Sequence, residues 1–335
     1  MSFLTFGEIM LRLTPNEKAA KLDSSQAFAV NYAGSESNVA SALATLGNTV
    51  QFITKIPDNP IGEGAVRSLR GHGVDTALIK KGGQRMGSYF IELGASIRPS
   101  RAVYDRAHSA FSEITPEEFD WAELLKGKAW IFLSGITPAL SPGCAQSAIN
   151  LVKAASEQKV KVAFDFNYRR TLWNDPRDAR KLFDEILAHT DLLLGNAGSL
   201  VDVYGIALKG TSETEITLEA LEIAAAQFGL RQVAFTIREH SSASRNDLSA
   251  AYLNQGTLSI SANYTVDISD RFGTGDAFAA GLLHALHLGW DDQKAVAFAT
   301  AAFALKHTIS GDYHSSNELE ILSIMEGNTS GHVIR

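Results

Sequence analysis

The sequence predicts an α/β protein: a parallel-core sheet with helices on both faces, carrying a small β-sheet lid. Three observations predict it. From residue 128 onward, short apolar strands alternate with helical patterns, which is how a parallel sheet reads. Two patches, a mixed one at about 8–33 with Pro15 and a polar middle and a glycine-punctuated one at about 77–106 without helical period, read as peripheral strands inserted into that core. Late in the chain, the strand-like run 263–268 feeds Asp270-Arg271-Phe272-Gly273-Thr274-Gly275-Asp276, which opens a helix over 277–288.

Phe3–Gly7 is the first core strand, an apolar run stopped by glycine. Gly34 and Ser35 precede a helix carrying Val39, Leu43 and Leu46; they read equally as a site of close ligand approach and as an ordinary Ser N-cap. Val50–Ile53 is a strand, and Gly62–Leu69 a helix closed by glycines. Within the second lid patch, Ser88–Leu93 and Arg101–Tyr104 are the strand-like runs. The regular half then supplies strands at 128–133, 160–166, 191–194, 232–237 and 248–253. Helices are expected at 142–157, 177–188, 217–228 and 292–308. Ligands of such sheets bind beyond the carboxyl ends of the strands, which puts Gly135, Asn167, Asn196 and the 273–276 turn on one rim. One fold unit spans 1–335, with the two lid segments inserted in it.

Composition narrows the function classes. The chain has 335 residues, is 45% hydrophobic and carries a net charge of −7 with acids and bases interspersed, which argues against nucleic acid or an anionic membrane as partner. No apolar run reaches membrane-spanning length, and no basic, apolar leader opens the chain, so a cytoplasmic location is expected. The single cysteine, Cys144, excludes an internal disulfide and a cysteine zinc site. The histidines, among them His240, His307 and His314, show no metal-ligand spacing.

The turn at 273–276 carries the chemistry. Its glycines allow tight folding, and the free N–H groups of Gly273, Thr274 and Gly275 at a helix start suit an anion. An acid in the same turn repels a phosphate, yet makes sense as the base that takes a proton from an attacking hydroxyl. Taken alone, the turn favours capping over catalysis, because Asp is a common N-cap. The rim segment Asn167-Tyr168-Arg169-Arg170 follows a core strand and suits an anion, although a single arginine is more commonly a solvated surface residue. Arg98, Arg101 and Arg106 lie in the lid, and several arginines facing one cleft would suit an acidic small substrate.

The chain resembles the ribokinase-like (PfkB-type) sugar kinases over essentially its whole length. The resemblance rests on Asp270-x-x-Gly273-Thr274-Gly275-Asp276-Ala277-Phe278, on Gly34-Ser35 ahead of Asn38, and on the lid segments. Within the family it is most similar to the kinases of 2-keto-3-deoxygluconate, through Leu133–Ser141, Phe166-Asn167-Tyr168-Arg169-x-x-Leu172-Trp173 and Gly311-Asp312. The resemblance implies a ribokinase-like fold and ATP-dependent phosphorylation of the sugar acid's terminal hydroxyl. It implies Asp276 as catalytic base and Gly273, Thr274 and Gly275 as anion hole. Gly34, Tyr89, Tyr104, Arg106, Arg169 and Asp312 would hold the sugar acid. Asn167, Arg169, Gly273 and Gly275 would border the nucleotide. ATP and Mg2+ are the implied cofactors, with a monovalent cation as a further candidate and homo-oligomerisation through the lid as the expected assembly.

Three departures stand out. Ser199, in Asn196-Ala197-Gly198-Ser199, occupies the position where many members carry a magnesium-positioning acid, so the metal contacts are unassigned. Ile237–Ser244 replaces a glycine-lysine-rich loop, and Arg271-Phe272 replaces the more usual Thr or Pro followed by Val. The alternatives are a kinase of a neutral sugar such as fructose or ribose, and a noncatalytic sugar-binding homologue. A Rossmann dehydrogenase ranks low, since Gly7 stands alone where Gly-x-Gly-x-x-Gly is needed.

Overall fold

The computed structural model describes residues 2–17 and 20–331. In chain order the first half holds β1 (Ser2–Phe6), β2 (Met10–Pro15), β3 (Phe28–Ala33), α1 (Ser35–Thr45), β4 (Val50–Ile53), β5 (Lys55–Ile56), α2 (Pro60–Gly71), β6 (Lys80–Lys81), β7 (Ser88–Glu92), β8 (Arg101–Asp105), α3 (Trp121–Leu124), β9 (Lys128–Ser134) and α4 (Pro142–Glu157). The second half holds β10 (Lys161–Asp165), α5 (Pro176–Leu187), β11 (Leu192–Gly195), α6 (Ala197–Tyr204), α7 (Glu213–Phe228), β12 (Gln232–His240), β13 (Arg245–Asn254), β14 (Thr257–Ile260), β15 (Tyr264–Asp267), α8 (Thr274–His287), α9 (Asp292–His307) and α10 (Glu318–Met325).

Alternating side chains explain the layers. In β10, Val162 and Phe164 face one way and Ala163 the other; in β11, Leu193 opposes Leu192 and Leu194. The first face packs against α4, α5, α6 and α7, and the second against α1, α2, α8 and α9. The main sheet, nine-stranded among the described residues, runs β14-β13-β12-β11-β10-β9-β1-β4, with β15 also on β13. From β4 to β12 every pairing is parallel. Two expected core strands depart from this: β13 is antiparallel to β12, and β15 is antiparallel to β13. The reason is chain length. Too few residues separate His240 from Arg245 for the crossover that a parallel pair requires, so the chain turns back as a hairpin.

The short helices α6 and α10 were not evident from the apolar pattern. Asn196 caps α6 by accepting from the Ser199 N–H, and Asn317 with Glu320 forms a capping box at α10. The two lid patches meet as a separate sheet, β3-β2-β7-β8, in which β2 pairs parallel with β7 and antiparallel with β3. Cys144 is buried in the core. Among the described residues no helix is long and apolar enough to cross a membrane.

Candidate active site

A cleft of about 620 Å³ opens between the small sheet and the carboxyl ends of β10, β11 and β12. Every residue that the family resemblance assigns to catalysis, substrate or nucleotide lines it, whereas Arg98, Arg101 and Arg170 do not; Arg98 pairs with Glu92 and Arg170 with Asp202. Gly135 of the expected rim does not; its neighbour Ile136 does, because Gly135 is held under Phe166 and Phe183.

Gly273 sits at the start of α8 with φ +72°, the left-handed region, and a Cβ there would lie 2.0 Å from the Asp312 carbonyl oxygen. Only glycine meets both conditions. No side chain caps this helix start, so its first N–H groups face the cleft with the positive end of the helix dipole. Asp276 follows one turn in, buried, with both carboxylate oxygens turned toward α1. Oδ1 accepts from Ser35 Oγ at 2.7 Å and Oδ2 from Asn38 Nδ2 at 2.7 Å. The capping role that the turn alone suggested is therefore not the one Asp276 plays. Burial pushes its pKa up to about 7, the Ser35 and Asn38 donors pull it back, and the charges of Asp165 and Asp312 add to the rise. A carboxylate titrating near neutrality is suited to exchanging a proton. The same Ser35 hydroxyl accepts from Asn167 Nδ2 at 3.0 Å. Asn167 adopts φ +31°, which an Asn tolerates better than most residues. Its N–H donates to Asp165, whose pKa burial raises to about 6.

At the small-sheet end, charges are paired within the protein. Arg12 is 1% exposed, projects from β2, and donates to Asp270 at 2.5 Å and to Asp312. Tyr89 donates its hydroxyl to Asp312 at 2.8 Å and stacks on Tyr104 with ring centroids 5.6 Å apart. Arg106 gives Nε to Glu8 at 2.8 Å and pairs with the same carboxylate through Nη2; Ser109 also donates to Glu8. Thus Asp312 and Arg106 line the cleft already engaged, and the Nη1 group of Arg106 makes no bond to Glu8.

At the other end three arginines, Arg169, Arg238 and Arg271, line the cleft without ion pairs among the described residues. Arg238 donates to Thr274 Oγ1 at 3.1 Å and lies 5.3 Å from the Phe303 ring centroid. Burial and the charges of Arg271 and Arg169 push its pKa down to about 10. The Nε atoms of Arg238 and Arg271 are buried with no hydrogen-bond partner. Sequence reasoning treated both residues as departures and missed them as site residues. The legible signal was their position: one at a strand's rim end, one inside the glycine turn. Arg12, Ser35 and Asn38 were also missed as supports of the site.

Ser199 is buried beside this end and donates its N–H to Asn196 Oδ1 at 3.0 Å. Among the described residues no group of three or more His, Cys, Asp or Glu side chains could hold a metal.

Comparison with known proteins follows the same line. The family profile described as pfkB family carbohydrate kinase matches residues 2–318. The chain is 33% identical over 328 residues to a 2-dehydro-3-deoxygalactonokinase of Haloferax volcanii, covering 98% of each chain. It is 40% identical to the 2-dehydro-3-deoxygluconokinase of Thermotoga maritima, whose crystal structure superposes with a TM-score of 0.94 over 98% of this chain and 100% of that one. A PfkB family carbohydrate kinase of Listeria grayi is 32% identical, with a TM-score of 0.91 over 97% and 100%. This chain is a carbohydrate kinase and belongs to the pfkB family.

Proposed function

We propose that the protein transfers the γ-phosphoryl group of ATP to the terminal 6-hydroxyl of 2-keto-3-deoxygluconate. The observation that carries the chemistry is Asp276, held by Ser35 and Asn38 one helical turn from uncapped N–H groups. The hydroxyl oxygen attacks the γ-phosphorus, Asp276 takes its proton, and the bond to the bridging oxygen breaks to leave ADP. Gly273, Thr274 and Gly275 donate to the transferring phosphoryl through their N–H groups. Arg169, Arg238 and Arg271, with Asn167, face the nucleotide phosphates. Mg2+, when bound, would supply charge neutralisation on those phosphates.

The substrate class is supported by the Haloferax and Thermotoga relatives, which are named for two 2-keto-3-deoxy sugar acids. Gly34, Tyr89, Tyr104, Arg106 and Asp312 border its end of the cleft, and Arg169 would serve it from the rim end. The sugar carboxylate has the Nη1 group of Arg106 and the exposed Arg169 as partners. The galactonate epimer is the second reading, favoured by the Haloferax relative. ADP release measured with both ketodeoxy acids, gluconate, fructose and ribose tests the assignment. Turnover concentrated on the ketodeoxy acids supports it; turnover on fructose or ribose alone overturns it.

The small sheet acts as a lid and as a dimer surface. Leu13, Val30, Phe90 and Val103 fall on its face opposite Arg12 and Tyr89, with Val30 55% and Val103 47% exposed. Sedimentation equilibrium should give a dimer that Val30→Lys with Val103→Lys converts to monomer. A monomeric wild type would sink the dimer.

A further inference from the structure

Lys306 lies at the end of α9 with its side chain 0% exposed. A buried ammonium is expensive unless its hydrogens are used. Here Nζ donates to two backbone carbonyls of the following loop, Ile309 at 2.9 Å and Gly311 at 2.6 Å. It makes no ion pair among the described residues, yet the charges of Asp270, Asp312 and Asp276 favour its charged form against the burial that lowers its pKa.

The loop it holds is the wall of the anion hole. Gly311 donates its N–H to Asp270 Oδ2 at 3.0 Å. The Asp312 carbonyl occupies the space a Cβ on Gly273 would need. Ser269 donates its N–H to the His307 carbonyl at 2.8 Å, tying the end of α9 to the strand that enters the turn. Backbone carbonyls with carboxylates close behind are the surroundings in which proteins bind a bare monovalent cation. In this chain that place holds a covalently tethered one.

We propose that the Lys306 ammonium takes the part of a dissolved monovalent cation. It fixes the 309–312 loop against Gly273, so the enzyme runs without added potassium. The site does not fit a free ion while Lys306 is present, and Lys306 is a positioning residue rather than a catalytic one. The effect on rate rests on the phosphoryl-transfer reading; the effect on binding and melting does not.

The test compares potassium chloride with tetramethylammonium chloride at equal ionic strength, reading both turnover and the melting temperature of the MgATP complex. Wild type should give the same rate in both salts, within about twofold, and the same melting temperature. In tetramethylammonium, Lys306→Ala should lose about tenfold or more in kcat, because the anion hole shifts off its line. Potassium or ammonium ions should restore most of that loss and raise the variant's melting temperature. Lys306→Met, which fills the space without charge, should respond to neither ion. A wild type whose rate or MgATP melting temperature rises with potassium would overturn the proposal. So would a Lys306→Ala protein that loses activity and regains neither readout. If Lys306→Ala does not fold, the wild-type comparison decides alone. If none of the sugars is turned over, the melting comparison still decides, so failure of the substrate assignment is seen separately.

Discussion

The two ends of the cleft handle charge in opposite ways. Beside the small sheet, Arg12 is locked between Asp270 and Asp312, and Arg106 between its Glu8 contacts. Beside the β12 rim, Arg238 and Arg271 are partly buried, which weakens the hold of each on its proton, Arg271 lowers that of Arg238 further, and both leave their Nε atoms without partners. A buried charge that the protein pairs serves position; one that it leaves unpaired costs stability until a ligand arrives. The small-sheet end is therefore a preformed frame, and under the proposed function the rim end is the anion site that phosphate would complete.

That contrast can be broken most visibly at Arg12. Replacing it by Met strands two buried carboxylates and should destabilise the apo protein by about 3–5 kcal/mol, read by urea denaturation. An apo stability unchanged by Arg12→Met would show that the frame is not held by this pair. Arg238→Met should do the reverse. Apo stability should stay level or rise, while the KM for ATP climbs about tenfold to a hundredfold, from the loss of about 1.5–3 kcal/mol of charge-assisted bonding. If Arg238→Met weakens sugar binding and spares ATP, the two ends have been assigned the wrong way round.

The smallest effect sharpens the point between the two ends. Asp276, with its pKa near 7, must be ionised to act, so kcat/KM should rise with pH through about 7. Ser35→Ala removes a donor that favours the ionised form and should move this acid limb upward by about one pH unit. An unmoved limb would mean that another group sets it. The same shift runs against stability. The native carboxyl binds its proton more tightly than an unfolded aspartate at about 4. Its contribution is therefore present at low pH and is lost as pH rises toward 7.

How much of this was readable in the chain depended on distance along it. The helix 142–157 was legible to the residue, because Ser141 and Pro142 start it and its period is clean. Ala197–Tyr204 was not, since Val201 and Val203 read as strand and only the Asn196 cap argues otherwise. Strand positions were legible at 248–253 and 263–268, but not their antiparallel direction, which depends on pairing rather than on composition. At the site, Asp276 and its glycines stood out because their spacing is local. Arg12 did not, because its partners lie 258 and 300 residues away, and an arginine in an alternating strand reads as solvent-facing. The bond from Asn38 to Asp276 crosses 238 residues and was equally hidden.

The central claim is that Asp276 takes the proton from the attacking hydroxyl. It is tested most directly by comparing Asp276→Asn with wild type in turnover and in calorimetric titration with the ketodeoxy acid and with MgATP. Loss of about 10²–10⁴ in kcat with both ligands still binding is the predicted result. A variant that keeps a near-normal rate would contradict it and remove Asp276 from the proton-transfer step.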